Sequence, residues 1–189
     1  MSKKEEIIGT TIDLFKREGC ENATIQRICE VNKITKGTFY YHFKSKGDLI
    51  YAFFELQGNS ILSIFPHIVA ETDDRKKIWI AYEFWLDMML QLGEKLLHGL
   101  FVFEYENGFD FFSPYPRIPR GNLPDPYNMI IELIKSAQAS GAIRNNAPHE
   151  RLIITLNAMM TTILMDWSAG GRDYDPKEEI RAGFDAILN

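Results

Sequence analysis

Thr24-Ile25-Gln26-Arg27-Ile28-Cys29-Glu30-Val31-Asn32-Lys33-Ile34-Thr35-Lys36-Gly37-Thr38-Phe39-Tyr40-Tyr41-His42-Phe43-Lys44-Ser45-Lys46-Gly47-Asp48 decides how this 189-residue chain folds. Thr24 has the side chain of a helix N-cap, and Ile25 and Ile28 follow at helical spacing up to Val31. Asn32-Lys33-Ile34 interrupts that pattern and predicts a turn. Thr35 caps a second helix, which carries Lys36 to His42 and reaches Phe43. Ser45-Lys46-Gly47-Asp48 has the form of a capping box, with Asp48 reaching back to the Ser45 amide, and opens a longer helix. Two short helices around a tight turn make a helix-turn-helix. That unit seats one helix in the DNA major groove while its turn and first helix brace it against the backbone.

Helical periodicity continues on both sides. Ile8, Ile12 and Phe15, with Thr11 and Leu14 beside them, predict a helix from Lys4 to Glu18 that stops at Gly19. The helix opened at Ser45 runs through Leu49, Ile50, Phe53, Phe54 and Leu56 toward Phe65, where Pro66 ends it. Asp73-Asp74 caps a helix of about 20 residues marked by Ile78, Tyr82, Trp85, Met89 and Leu92. Another covers Glu94 to Tyr105. Residues 106–124 hold Pro114, Pro116, Pro119 and Pro124 and read as a long loop. Asp125-Pro126 restarts a helix with Ile130, Leu133, Ile134 and Ala137, which Gly141 stops. Pro148 leads an apolar stretch to Trp167. Asp175-Pro176-Lys177-Glu178 is a second capping box, opening the last helix through Ile180, Phe184 and Leu188. No alternating run longer than a few residues and no internal repeat occurs, so the fold class is all-α, with nine helices.

The net charge of −5 misleads until it is divided. Residues 1–50 hold nine Lys/Arg and seven Asp/Glu, a balance of +2, which leaves −7 on the remainder. Within residues 24–48, Arg27, Lys33, Lys36, Lys44 and Lys46 face only Glu30 and Asp48. A basic head on an acidic body suits a chain that meets phosphates with one end. The apolar runs are too short to span a bilayer, and no secretory leader is legible, so a cytoplasmic location is expected. Cys20 and Cys29 are expected to be free thiols in a reducing compartment.

The order of these features resembles the TetR/AcrR type of bacterial transcription regulator. The resemblance rests on Thr11, Leu14, Phe15 and Gly19, on Thr24-Ile25 with Ile28, and above all on Ile34-Thr35-Lys36-Gly37-Thr38-Phe39-Tyr40-Tyr41-His42-Phe43-Lys44-Ser45-Lys46. It covers residues 5–55 well and the rest by length and helix count. It implies a DNA-binding domain at residues 1–48 and an effector-binding and dimerisation domain at residues 49–189. It also implies that Thr24 and Gln26 meet a phosphate or base edge. Thr35, Lys36, Gly37, Thr38, Tyr41 and His42 would lie on the exposed side of the recognition helix, with the Tyr40 hydroxyl and Lys46 on phosphates. Residue chemistry agrees. Gly37 permits close approach to a duplex, hydroxyls suit helix N-termini, and Lys36 can read guanine or neutralise a phosphate.

The same resemblance implies a homodimer joined through its last two helices and a ligand cavity among the middle ones. Leu152, Leu156, Met159, Met160, Ile163 and Trp167 cover too much of one helix for a single internal contact. Ile180 and Phe184 add a stripe beside them, and a dimer four-helix bundle would bury both. The aromatic and methionine load of the middle region, taken as Trp79, Tyr82, Trp85, Met89, Phe101, Tyr105, Phe112 and Tyr127, suits an apolar or aromatic effector, although such stripes also build cores. Glu83, Asp87, Glu104 or Glu106 would add selectivity for a cation if one pointed inward.

Enzyme chemistry finds little support. His42, His67, His98 and His149 are scattered, with no His-x-x-x-His or Cys-x-x-Cys pairing for a metal. There is no glycine-rich phosphate loop and no Gly-x-Ser-x-Gly elbow. No catalytic residue, metal or cofactor is therefore expected. The expected partners are a pseudo-palindromic double-stranded operator, a small-molecule effector and a second copy of the chain, with no membrane. The rival readings are an architectural or partner-binding DNA protein of the same fold without a small-molecule switch, and a degenerate member serving as an enzyme or carrier.

Overall fold

The computed structural model describes residues 2–107, 126–170 and 173–189, apart from the side chains of residues 58, 59, 61, 107, 126 and 127. Among the described residues there are helices and no strands. They are α1 (Lys3–Glu18), α2 (Ile25–Asn32), α3 (Lys36–His42), α4 (Lys46–Asn59), a 3-10 turn (Ser60–Ile64), α5 (Phe65–Ala70), α6 (Asp74–Leu92), α7 (Glu94–Asn107), α8 (Pro126–Ala139), α9 (His149–Ser168) and α10 (Pro176–Leu188). The helix expected from Ser45 to Phe65 is broken by the 3-10 turn. Pro66 lies in the first turn of α5, where its missing N–H costs nothing, instead of ending the rod. With α4 to α5 taken as one interrupted rod, the described residues form nine helical units, as expected.

Local signals place the helix ends. Ser2 and Glu5 form a reciprocal capping box on α1, and the Thr24 and Thr35 hydroxyls accept from the Arg27 and Thr38 amides. At α4 the expected box is half realised. Ser45 Oγ accepts from the Asp48 amide at 3.1 Å, but the Asp48 carboxylate accepts from the Lys44 amide at 2.9 Å, one residue before its expected partner. Asp73 caps α6 through the Arg75 and Lys76 amides, and Asp175 caps α10 through the Lys177 amide.

Two packed regions follow from the apolar spacing. In the head, Ile7, Leu14, Phe15, Ile28, Phe39, Phe43 and Leu49 are fully buried, joining α1 to α4 around one small core. Each such side chain contributes about 1.5–3 kcal/mol on burial. In the body, α6 packs along α8, with Ile78, Ala81, Tyr82 and Leu86 buried, and its Trp79 and Tyr82 rings meet Phe184 of α10. Arg75, at the start of α6, donates to the Asp185 carbonyl and carboxylate and to Asn189, pinning the end of α10. Among the described residues, no helix is long and apolar enough to cross a membrane.

Candidate nucleic-acid interface and effector region

The head holds its recognition helix by one side and presents the other. Phe39 and Phe43 anchor α3 in the core, while Thr35, Lys36, Gly37, Tyr40 and Tyr41 are exposed and Thr38 and His42 half-exposed. Tyr41 is 84% exposed, and Tyr40 is 53% exposed with its ring edge-on to Phe39 at 5.5 Å. Large aromatic rings left in water on a short helix are costly unless a partner covers them. Thr35 Oγ1 and Thr38 Oγ1 are hydrogen-bonded at 3.0 Å, fixing two hydroxyls at the helix N-terminus. Thr24 and Gln26 are likewise exposed at the start of α2. The turn between α2 and α3 is closed by Lys33 in the left-handed region, φ 52° and ψ 44°, its amide donating to Glu30. Asn32 Nδ2 donates to the Ile28 carbonyl at 2.9 Å and the buried Thr11 hydroxyl at 3.3 Å, which locks α2 onto α1.

The basic groups divide in a way their spacing does not reveal. Arg27 forks onto Glu18 and is committed within the head. Lys33, Lys36 and Lys44 are exposed. Lys46, expected on the DNA backbone, is turned away toward the body: its ammonium donates to the Cys20 carbonyl at 2.7 Å and lies 5.4 Å from the centre of the Phe103 ring. Its place in the first turn of α4 puts its side chain within reach of both the α1–α2 turn and α7. Burial pushes both free thiols, Cys20 and Cys29, up from their ordinary value.

The aromatic set of the middle helices is scattered. Trp79, Tyr82, Met89 and Phe101 are buried in the body core. The Trp79 ring lies 5.2 Å from Phe184, and the Tyr82 hydroxyl donates to Asn157 at 3.2 Å. Trp85 is half-buried. Tyr105 is 92% exposed, which corrects its assignment to a cavity wall: it shares the outer face of α7 with His98 and Val102, while Leu97 and Phe101 take the inner one. Phe112 and the Tyr127 side chain lie outside the described residues. None of the six described ones lines the cleft of about 700 Å³ between the head, α7 and the end of α9; Phe103, His98 and Glu106 do. Glu83 and Asp87 do not supply a cation site, because Lys177 of α10 bridges them at 2.8 and 2.9 Å. Those hydrogen bonds, first to Glu83 and then to Asp87, raise the lysine above its ordinary pKa.

The last two helices also need sorting. Leu152, Leu156, Ile180 and Phe184 are buried inside the protomer, so they are core residues and not dimer contacts. A helix packed on neighbours over half its circumference spends its largest side chains there. Met159, Met160, Ile163 and Trp167 are only partly covered, and Met165 is half-exposed. Outside them runs a stripe of small residues: Thr155, Ala158 and Thr162 on α9, Ala182 and Ala186 on α10. The Thr155 and Thr162 hydroxyls fold back onto the Arg151 and Ala158 carbonyls, which leaves their methyl groups to the outside.

Comparison with known proteins agrees with this architecture. The family model described as "Bacterial regulatory proteins, tetR family" matches residues 7–53, the head and the first half of α4. The probable acrEF/envCD operon repressor of Escherichia coli (strain K12) is 21% identical over 201 residues, covering 100% of this chain and 86% of the relative. Two solved structures superpose along the whole length. The fatty acid degradation regulator FadR from Bacillus halodurans has a TM-score of 0.73 at 17% identity, covering 100% of this chain and 95% of its own. Thermus thermophilus FadR, solved in complex with lauroyl-CoA, has a TM-score of 0.66 at 17% identity, covering 98% and 93%. The head therefore matches the tetR family of bacterial regulatory proteins over residues 7–53, and the chain as a whole shares the fold of solved regulators, among them the TetR-family repressor FadR of Thermus thermophilus.

Proposed function

We propose that this chain is a cytoplasmic, homodimeric repressor that leaves its operator when a small apolar or aromatic effector enters the body. The observation that carries the reading is α3, anchored by Phe39 and Phe43 and exposing Thr35, Lys36, Gly37, Tyr40 and Tyr41 on its free side. Residues 1–48 act as the DNA-binding unit, through Thr24, Gln26, Thr35, Lys36, Gly37, Thr38, Tyr40, Tyr41 and His42. Residues 49–189 act as the regulatory and dimerisation unit. Two protomers meet through the outer faces of α9 and α10, which holds two recognition helices at the spacing of successive major grooves.

The effector works by differential affinity. It binds a dimer arrangement with the heads spread better than the operator-bound one, and operator affinity falls by that difference. The action is binding alone, without catalysis. Acyl-CoA is a reasonable first probe, because Thermus thermophilus FadR was solved with lauroyl-CoA. Footprinting on the chain's own upstream region, repeated with lauroyl-CoA and with a hydrophobic aromatic cation, tests the reading. Protection of a palindromic site, lifted by one of the probes, is expected. Failure to bind any palindromic duplex at low salt would sink it; protection that no candidate effector lifts would favour a DNA protein without a switch.

A further inference from the structure

Lys46 opens α4, and its side chain lies where the head meets the body. Its Nζ donates to the Cys20 carbonyl, in the turn between α1 and α2, and lies over the ring of Phe103, in α7. Gly99, one turn before Phe103, faces the same α1–α2 turn. A β-carbon at Gly99 would lie 3.3 Å from both Cys20 Cβ and Glu21 Oε2, a tight approach that glycine relieves. Cys20 itself is fully buried. Three pieces of chain far apart in sequence therefore meet at one wall of the cleft between head and body, and the ammonium of Lys46 joins all three.

We propose that Lys46 is a positioning residue, tying the α1–α2 turn to α7 so that the body sets the orientation of the recognition unit. The α1–α2 turn leads directly into α2, and α2 carries Gln26 and packs its Ile28 into the core that anchors α3. A displacement of α7 is thus passed to the DNA-reading surface through Lys46 and the Gly99 contact. A phosphate contact from this lysine would require its ammonium to abandon both Cys20 and Phe103. The inference rests on the proposed DNA-binding function, and its test separates the two.

Operator DNA, recovered by selection from random duplexes, is titrated with the full-length chain at several salt concentrations. Wild type, Lys46→Met, Lys46→Arg and Phe103→Leu are compared, with amide hydrogen exchange of α7 followed with and without DNA. Loss of a partly buried cation–aromatic tie weakens operator binding roughly two- to thirty-fold. Lys46→Met and Phe103→Leu are expected to show that loss at an unchanged salt slope, while Lys46→Arg, which keeps a donor and a cation, stays near wild type. Coupling between sites is reciprocal, so DNA should slow exchange across residues 94–107 in the wild type and not in Lys46→Met. Should Lys46→Met fail to fold, Phe103→Leu, outside the head, carries the same readouts.

A salt slope lower by about one in Lys46→Met, with Phe103→Leu behaving as wild type, would make Lys46 a phosphate contact and overturn the proposal. Protection of α7 retained in Lys46→Met overturns it too. A wild type that binds no DNA defeats the proposed function instead. The tie is then decided without DNA: faster exchange across residues 19–22 and 94–107 in Lys46→Met supports it, and unchanged exchange overturns it.

Discussion

Arg27 of α2 grips Glu18 of α1 with both arms of its fork: Nη2 lies 2.7 Å from Oε1 and Nε 3.1 Å from Oε2. The pair staples the first two helices of the head, and it removes Arg27 from the cations free to meet phosphate. With Lys46 also engaged, the exposed cations of residues 24–48 left to meet phosphate are Lys33, Lys36 and Lys44.

Acid should reveal the staple. The Arg27 hydrogen bond holds the Glu18 carboxyl below its ordinary value. A carboxylate with a depressed folded-state pKa adds stability above its unfolded value, about 4.3, and loses it as pH falls through the folded one. Thermal melts from pH 7 to pH 3 should show Glu18→Gln destabilised near neutrality but converging on wild type at the acid end. Parallel curves would mean that ionisation of Glu18 adds nothing to the folded head, as holds for many exposed ion pairs.

Gly37 separates stability from function. A β-carbon there meets nothing closer than Thr35 Oγ1, at 3.6 Å, and the position is exposed. Gly37→Ala should therefore stabilise α3, by about 0.5–1 kcal/mol, because alanine loses less backbone entropy. Operator affinity should fall, because the duplex approaches that face. A higher melting temperature with undiminished DNA binding would remove Gly37 from the interface.

Lys36 and Gln26 should act on preference and not only on strength. Lys36→Ala is expected to cost about 1–3 kcal/mol against the preferred base and to relax selectivity at that position. Binding-site selection with wild type and each variant checks this. The same consensus recovered from every variant would place both residues on the backbone.

Dimer contacts and core residues should part company in α9 and α10. Met165→Glu and Ala182→Glu put charge on the outer face and should yield folded monomers that lose palindromic binding, visible by analytical ultracentrifugation. Phe184→Ala, within the protomer core, should cost about 3–5 kcal/mol of stability. Dimers unaffected by both glutamates would show that the subunits meet elsewhere.

Gly183 of α10 and Met159 of α9 should be coupled, since a β-carbon at Gly183 would overlap the Met159 sulfur. Gly183→Ala gains helix propensity but displaces Met159, so the two effects oppose. In a Met159→Ala background the clash is gone, and Gly183→Ala should stabilise by up to about 1 kcal/mol. Equal effects in both backgrounds would deny the contact.

Sequence alone determined what depends on near neighbours. The caps at Thr24, Thr35, Asp73 and Asp175, the turn at Asn32-Lys33-Ile34 and the burial of Phe39 and Phe43 follow from hydroxyl or carboxylate reach and from helical period, all within a few residues. The Thr35–Phe43 run identified the head for the same reason. Only the tertiary structure decided where a side chain with several possible partners goes. Lys46 carries one charge whether it meets a phosphate, Cys20 or Phe103, and its neighbour in α7 is more than fifty residues away. Phe184, Leu156 and Tyr105 read alike as apolar positions on amphipathic helices. Which of them is core and which is surface depends on the helices packed around them, and helical periodicity does not carry that information.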